Sequence, residues 1–220
     1  LYKKYQNENI CIAGGCGMNS VANGKIKDNT KFKNIYVQPA AGDAGGAIGA
    51  AFATYYKNTN NKRVFQMKHA YWGTSFDNNQ ILECINKNKK SIEDQKCSFK
   101  YFSDNNELNK IVAKDISDGK VIGWFQGKME WGPRALGNRS ILGDPRRSDM
   151  KDILNLKIKR RESFRPFAPS ILREHVSNWF KNDDEVPFMM KVYQIKDDKI
   201  KDIPAVTHVD GSGRLQTVYQ

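Results

Sequence analysis

Val121-Ile122-Gly123-Trp124-Phe125-Gln126-Gly127-Lys128-Met129-Glu130-Trp131-Gly132-Pro133-Arg134-Ala135-Leu136-Gly137-Asn138-Arg139-Ser140 sets a short apolar run against a basic, turn-rich segment. Residues 121–125 read as a buried strand. It delivers Gln126-Gly127-Lys128 at its C-terminal end, where α/β folds usually place ligands. A basic surface helix would alternate charge at helical spacing and would not carry Gly132-Pro133 in its middle. A second basic run follows, Lys157-Ile158-Lys159-Arg160-Arg161-Glu162-Ser163-Phe164-Arg165-Pro166-Phe167. Residues 120–173 hold thirteen Lys or Arg against five Asp or Glu, which accounts for eight of the chain's net charge of +12. Arg supplies a planar fork of donors for phosphate or carboxylate and Lys a compact point charge. Composition alone leaves two readings open here, a pocket for a polyanion and a solvated basic face.

Upstream, residues 9–13 read as a strand that runs into Gly14-Gly15-Cys16-Gly17, then a helix over 18–27 with Asn19 or Ser20 as its cap. The unit recurs. Residues 34–38 are a second strand, Pro39-Ala40-Ala41-Gly42-Asp43-Ala44-Gly45-Gly46 a second glycine turn, and a helix follows to about Tyr56. A strand, a glycine turn and a helix start make a ready anion site, because backbone N–H groups point outward and no side chain blocks them. Taken from the residues alone, Asp43 reads first as the N-cap of its helix.

Between and beyond these landmarks, residues 58–62 and 87–96 read as polar surface loops, and 76–85 as a short helix. Residues 97–102 read as a strand, and Ser103 as the cap of a helix ending at Asp118-Gly119. Residues 147–156 and 174–180 read as helices, and 168–172, 189–195, 205–209 and 215–219 as extended. The alternation predicts α/β, with a mixed second half.

The 220 residues are 39% hydrophobic, with eleven Phe, nine Tyr and four Trp, enough to bury a core and inconsistent with a disordered basic tail. Cys11, Cys16, Cys84 and Cys97 show neither zinc spacing nor a disulfide framework, so reduced thiols in a cytoplasmic protein are expected. No signal peptide and no apolar run of about 18 residues is seen, so no membrane partner is expected. The chain starts on Leu1 and stops at Gln220 within a strand-like run, and both ends are expected to be cuts through a longer protein.

The quoted stretch, with Ile141-Leu142, Lys159-Arg160-Arg161-Glu162 and Phe164-Arg165-Pro166-Phe167-Ala168-Pro169, closely resembles the O-carbamoyltransferases of nodulation-factor and antibiotic biosynthesis (NodU/CmcH type). Gly14-Gly15 with Asn19, residues 38–46, and His208-Val209-Asp210-Gly211 with Arg214 match the same family in the same order.

The resemblance implies two parts. Residues 1–60 would be the end of an actin/hexokinase-type ATPase-like domain, and 61–220 a YrdC-like α/β domain with a mixed sheet. The second would form carbamoyl-adenylate from carbamoyl phosphate and ATP. The first, with a divalent iron-type metal, would pass the carbamoyl group to an acceptor hydroxyl, with Mg accompanying ATP. On the matching positions, Lys128, Arg139, Arg161 and Arg214 would grip the phosphates, with Arg134, Arg165 and His208 as further substrate contacts. Arg134 and Arg165 could instead brace their turns through Glu130 or Glu162. Gly14, Gly15, Asn19 and Gly42 would line the adenylate, and Asp43 would be a metal ligand, which reverses its reading as a cap. Gly17 and Gly143 stand where the family more usually has alanine, a harmless change.

The family's His-x-x-x-His metal motif is missing, because His69, His175 and His208 lie far apart, and its Asn-Thr-Ser-Phe-Asn segment would lie beyond Gln220. The piece alone is therefore expected not to turn over. The competing reading is a basic nucleic-acid-binding or tRNA-threonylcarbamoylation-related protein. That reading wants exposed aromatics beside the cations, whereas Trp124, Trp131, Phe164 and Phe167 are expected to be core anchors. Nucleic acid is not the expected partner, and a homodimer is compatible with the sequence.

Overall fold

The computed structural model describes residues 1–219. Short helix α1 (Tyr2–Tyr5) precedes β1 (Asn9–Ile12), which runs parallel to β2 (Asn34–Val37) with Ile10 beside Ile35. Helix α2 (Ser20–Asn29) makes the crossover. Asn19 is its cap, its Oδ1 accepting the Ala22 N–H at 3.0 Å. Gly24 sits where α2 meets the second half of the chain, and a Cβ there would overlap the Val192 carbonyl oxygen.

Helix α3 (Gly45–Asn58) starts at Ala44 with no side-chain cap. Asp43 is therefore not its N-cap. The turn Gly42–Gly45 closes on its own carbonyls, so the helix begins later than the residues suggest and leaves the Asp43 side chain exposed.

Helix α4 (Asn78–Lys87) carries a capping box from Asp77 and Gln80. The expected loop over 87–96 contains helix α5 (Lys89–Asp94) instead. A helix with solvent on every side needs no apolar stripe, so periodicity could not reveal it. Residues 97–102 form no strand, being almost wholly exposed with no neighbouring strand to pair with. Asp104, not Ser103, caps α6 (Asn105–Ser117).

Strand β3 (Ile122–Phe125) pairs antiparallel with β4 (Arg139–Leu142), setting Trp124 beside Ser140 and Phe125 beside Arg139. The expected helix over 147–156 begins later as α7 (Met150–Asp152) and widens into a π-helical turn, Ile153–Ile158. β5 (Ser170–Leu172) precedes a 3₁₀ turn and α8 (Val176–Trp179). β6 (Val192–Gln194) pairs antiparallel with β7 (Ser212–Arg214), and β8 (Gln216–Val218) runs parallel to β5. Residues 205–209 are turns and not a strand, because the Val206 N–H bonds back to the Ile203 carbonyl at 3.2 Å and the Gly211 N–H to that of His208 at 3.0 Å.

The architecture is mixed α/β. One core packs Val37 and Ala41 with Met67, Ala70, Leu136, Phe188 and Met190, so the first sixty residues share apolar contacts with the rest of the chain. A second core gathers Val176, Phe180, Tyr193, Ile195 and Leu215 under β6 and β7. Full burial of one such side chain stabilises by about 1.5–3 kcal/mol, which is what anchors β7 and the arginine at its end. The four cysteines are free and exposed. Among the described residues no helix is long and apolar enough to cross a membrane.

Candidate anion site

Glu130 organises the loop between β3 and β4. Its Oε1 accepts the backbone N–H groups of Leu136 (2.9 Å), Asn138 (2.8 Å) and Arg139 (3.0 Å). Burial alone would push this carboxyl up, but the N–H donors hold it below the ordinary glutamate value. Asn138 adds a bond from Nδ2 to the Lys128 carbonyl at 2.7 Å. The Leu136 carbonyl accepts from Tyr71 Oη (2.7 Å) and Gln216 Nε2 (2.8 Å), which ties the loop to β8. Gly132 has φ +107°, and a Cβ there would stand 2.5 Å from the Pro39 carbonyl oxygen. The loop therefore lies directly against the second glycine turn, and only glycine allows that approach.

The basic residues then separate into two groups. Arg146 is paired with Asp144 (2.7 Å), Arg147 with Asp149 (2.7 Å), Arg165 with Glu162 (2.8 Å) and Arg173 with Asp183. These are local braces, and Arg165 uses Glu162 as one sequence alternative had it. Arg134, Arg161 and Arg214 are different: among the described residues none has a carboxylate within ion-pairing distance.

Burial, with the charges of Arg134 and Arg161 adding to it, brings Arg214 down to about 10. The two halves of the basic stretch and the end of β7 thus bring three guanidinium groups into one electrostatic neighbourhood. Arg134 is also lowered by burial, and its Nη2 donates to the Met18 carbonyl at 3.3 Å, beside the first glycine turn. Arg161 is lowered by burial and by Arg165, while Glu162 opposes. Its Nε donates to Asn155 Oδ1 at 2.6 Å, and its guanidinium lies over the Phe167 ring at 4.9 Å. Asn155 is fully buried and donates through Nδ2 to the carbonyls of Ser163 (3.1 Å) and Arg165 (2.9 Å). It positions Arg161, a role sequence reading missed, since a lone Asn carries no signal of what it will meet.

Two donors of this group, the Nε of Arg134 and that of Arg214, are buried without a protein acceptor among the described residues. Buried donors left unmatched cost about 1–3 kcal/mol each, and an anion with several oxygens is the ligand that would satisfy such a set.

The remaining expected site residues are placed as follows. Arg139 donates to the carbonyls of Gln126 (2.5 Å), Asn138 (2.8 Å), Gly127 (3.1 Å) and Thr74 (3.3 Å), and its face lies 3.4 Å from the Phe125 ring centre. In this geometry it braces the turn that carries Lys128. Lys128 itself is exposed, and neither residue is among the charges acting on Arg214.

His208 bonds through Nδ1 to Ser212 Oγ at 3.1 Å, and its Nε2 is buried without a partner. Burial lowers its pKa, Arg214 and Lys151 add to the effect, and Asp210 opposes it. Lys151, not anticipated from sequence, therefore belongs to the same cationic neighbourhood.

At Gly14, Gly15 and Gly42 a Cβ would meet nothing within 4 Å, so the space over both glycine turns is open. Asn19 keeps its Nδ2 free while Oδ1 caps α2. Asp43 is exposed, and among the described residues no three His, Cys, Asp or Glu side chains converge. One carboxylate is a poor cation site, so the residues present do not by themselves fit a metal centre. Gly143 is less free to become alanine than the sequence suggests, because its Cβ would stand 2.8 Å from Met150 Sδ. Phe164 is 75% exposed and not a core anchor, whereas Phe167 packs on the core. A groove of about 680 Å³, lined by Tyr36, Met67, Lys68, Pro187, Phe188 and Lys191 among others, contains none of Arg134, Arg161 and Arg214.

Fold and site together define a mixed α/β protein with a donor-rich site whose three arginines have no ion-pair partner among the described residues. The sequence profile described as "Carbamoyltransferase N-terminus" matches residues 1–52, and that described as "Carbamoyltransferase C-terminus" matches residues 113–220. The chain belongs to the carbamoyltransferase family.

Nodulation protein NolO of Bradyrhizobium diazoefficiens is 41% identical over 95% of this chain and 37% of its own length. Nodulation protein U of Azorhizobium caulinodans is 32% identical over 96% of this chain and 34% of its own length. An uncharacterised protein of Synechocystis is 43% identical over 100% of this chain and 38% of its own length. The chain thus spans well under half the length of these relatives.

Proposed function

We propose that this chain is part of an ATP-dependent O-carbamoyltransferase, with Arg134, Arg161 and Arg214 holding the phosphorylated carbamoyl donor and the nucleotide phosphates. The observation that supports this reading is a buried Arg214 with the charges of Arg134 and Arg161 acting on it, none of the three ion-paired among the described residues. In the proposed reaction, carbamoyl phosphate loses its phosphate to water and leaves carbamate. A carbamate oxygen attacks the α-phosphorus of ATP, pyrophosphate departs, and carbamoyl-adenylate remains. An acceptor hydroxyl then attacks the carbamoyl carbon, its proton is lost, and AMP leaves. Both displacements bring anions together, so positive charge and orientation are the protein's main contribution.

Lys128, on the turn braced by Arg139, would reach an outer phosphate as ATP arrives with Mg. Arg165, fixed by Glu162, would border the site. Gly14, Gly15 and Gly42 leave room for the nucleotide above the glycine turns, with Asn19 Nδ2 as a donor. Residues 1–60 would belong to the ATPase-like acyl-transfer domain and 61–220 to the YrdC-like adenylate-forming domain. Four free, exposed thiols suit a reducing cytoplasm.

The test is to incubate the intact protein with ATP and carbamoyl phosphate and to follow pyrophosphate and carbamoyl-AMP by mass spectrometry. Both should appear together and only when both substrates are present. Pyrophosphate without carbamoyl-AMP, or neither, rejects the reading.

A further inference from the structure

We propose that His208, fixed as its Nδ1–H tautomer, presents the Nε2 lone pair as a hydrogen-bond acceptor that selects a donor carrying N–H over one carrying only C–H. The inference rests on the carbamoyl-donor reading and adds a specificity residue to it. Asp210 Oδ1 receives the Ser212 hydroxyl at 2.6 Å and the Ser212 N–H at 3.1 Å. The hydrogen bonds from Ser212 hold Asp210 below the usual aspartate value, so it accepts and does not donate. A hydroxyl has one proton, and that proton is directed to Asp210. Ser212 Oγ can therefore only accept from His208 Nδ1, 3.1 Å away, which places the imidazole proton on Nδ1. Nε2 is left as a bare lone pair, buried and unmatched by any donor among the described residues.

The positions of these three residues are set by a tight turn. The His208 N–H donates to the Ser212 carbonyl at 2.8 Å and the Gly211 N–H to the His208 carbonyl at 3.0 Å, just before β7 delivers Arg214. The relay and the arginine are thus held by one hairpin. Arg214 and Lys151 act electrostatically on His208, and with burial they keep the ring neutral against the pull of Asp210.

The chemical consequence follows from what guanidinium groups lack. Arginine has five donors and no acceptor, so Arg134, Arg161 and Arg214 would grip phosphate, acetyl phosphate and carbamoyl phosphate alike. These ligands differ beyond the phosphate, where carbamoyl phosphate offers an NH₂ and acetyl phosphate a methyl. A buried acceptor can distinguish them, because a methyl group leaves the lone pair unmatched. One such bond corresponds to roughly tenfold to a hundredfold in affinity.

Isothermal titration of the intact protein with carbamoyl phosphate, acetyl phosphate and inorganic phosphate tests this. The unmodified protein should bind carbamoyl phosphate roughly tenfold or more tighter than acetyl phosphate. His208→Phe should abolish that preference while leaving inorganic phosphate affinity within about threefold. His208→Gln, whose Oε1 can stand where Nε2 stood, should recover part of it, and Ser212→Ala, which frees the tautomer, should weaken it. An equal loss of all three ligands in His208→Phe, without partial rescue by His208→Gln, assigns His208 to packing and overturns the inference. Equal binding of the two acyl phosphates by the unmodified protein overturns it too, yet leaves the anion site standing. Binding of none of the three removes the function reading and the inference together.

Discussion

Replacing Arg214 by Met should stabilise the protein and abolish its response to anions. Arg214 is largely buried, its Nε has no partner, and two like charges act on it. Its fall from the ordinary arginine range to about 10 means that holding the charge in the folded state costs about 3 kcal/mol, at about 1.36 kcal/mol per pKa unit. The folded value lies below the unfolded one, so the penalty is fully present at pH 7 and is relieved only as pH rises through about 10.

Met is unbranched and close in length, and it removes the charge while keeping most of the buried stem. Allowing for imperfect packing, the gain should be about 1–3 kcal/mol, or roughly 2–12 °C in Tm for a domain of this size. The unmodified protein, by contrast, should gain about 2.7 kcal/mol from inorganic phosphate at a hundred times its dissociation constant. Thermal unfolding of the intact protein, with and without phosphate and at fixed ionic strength, measures both effects. The reasoning is refuted if Arg214→Met melts below the unmodified protein in the absence of phosphate, or if phosphate raises both equally.

Glu130→Gln keeps one acceptor but removes the charge from three backbone hydrogen bonds, and should cost about 2 kcal/mol in urea unfolding. Because the folded Glu130 value is depressed, the unmodified protein should lose this contribution as pH falls below about 4, whereas the Gln variant should lose nothing further there. Asn155→Leu strands two carbonyls and the Arg161 Nε, so it should destabilise by about 2–4 kcal/mol and weaken phosphate binding. Asn19→Ala should cost about 1 kcal/mol through the lost cap of α2. Asp43→Ala caps nothing and should leave Tm within about 1 °C. Elemental analysis of the intact protein should show the same metal content before and after the substitution, since one exposed carboxylate makes a poor cation site; lost metal would restore Asp43 as a ligand.

The sequence by itself determined whatever depends on neighbours within a few residues. The strand-turn-basic pattern at 121–128 implied an α/β arrangement, Asn19 was one of two named caps for α2, and the motifs named the family. The pairing of Arg165 with Glu162 was one of two readings its sequence left open, the other being a substrate contact. Asp43 shows where local reading fails, since cap and solvent-facing turn begin with the same residues and differ by where the helix starts.

What only the tertiary structure decided is which cations are free. Arg173 looks as available in sequence as Arg134, Arg161 and Arg214, yet packing gives it Asp183, ten residues away, and sets the other three near one another without an ion-pair partner among the described residues. The reason is geometric. β7 places Arg214 from one end of the chain beside residues of distant loops, and those loops hold their shape through Glu130 and Asn155, whose partners lie beyond any local pattern. Charge can be counted along a chain, but whether it is compensated depends on which segments the core brings together.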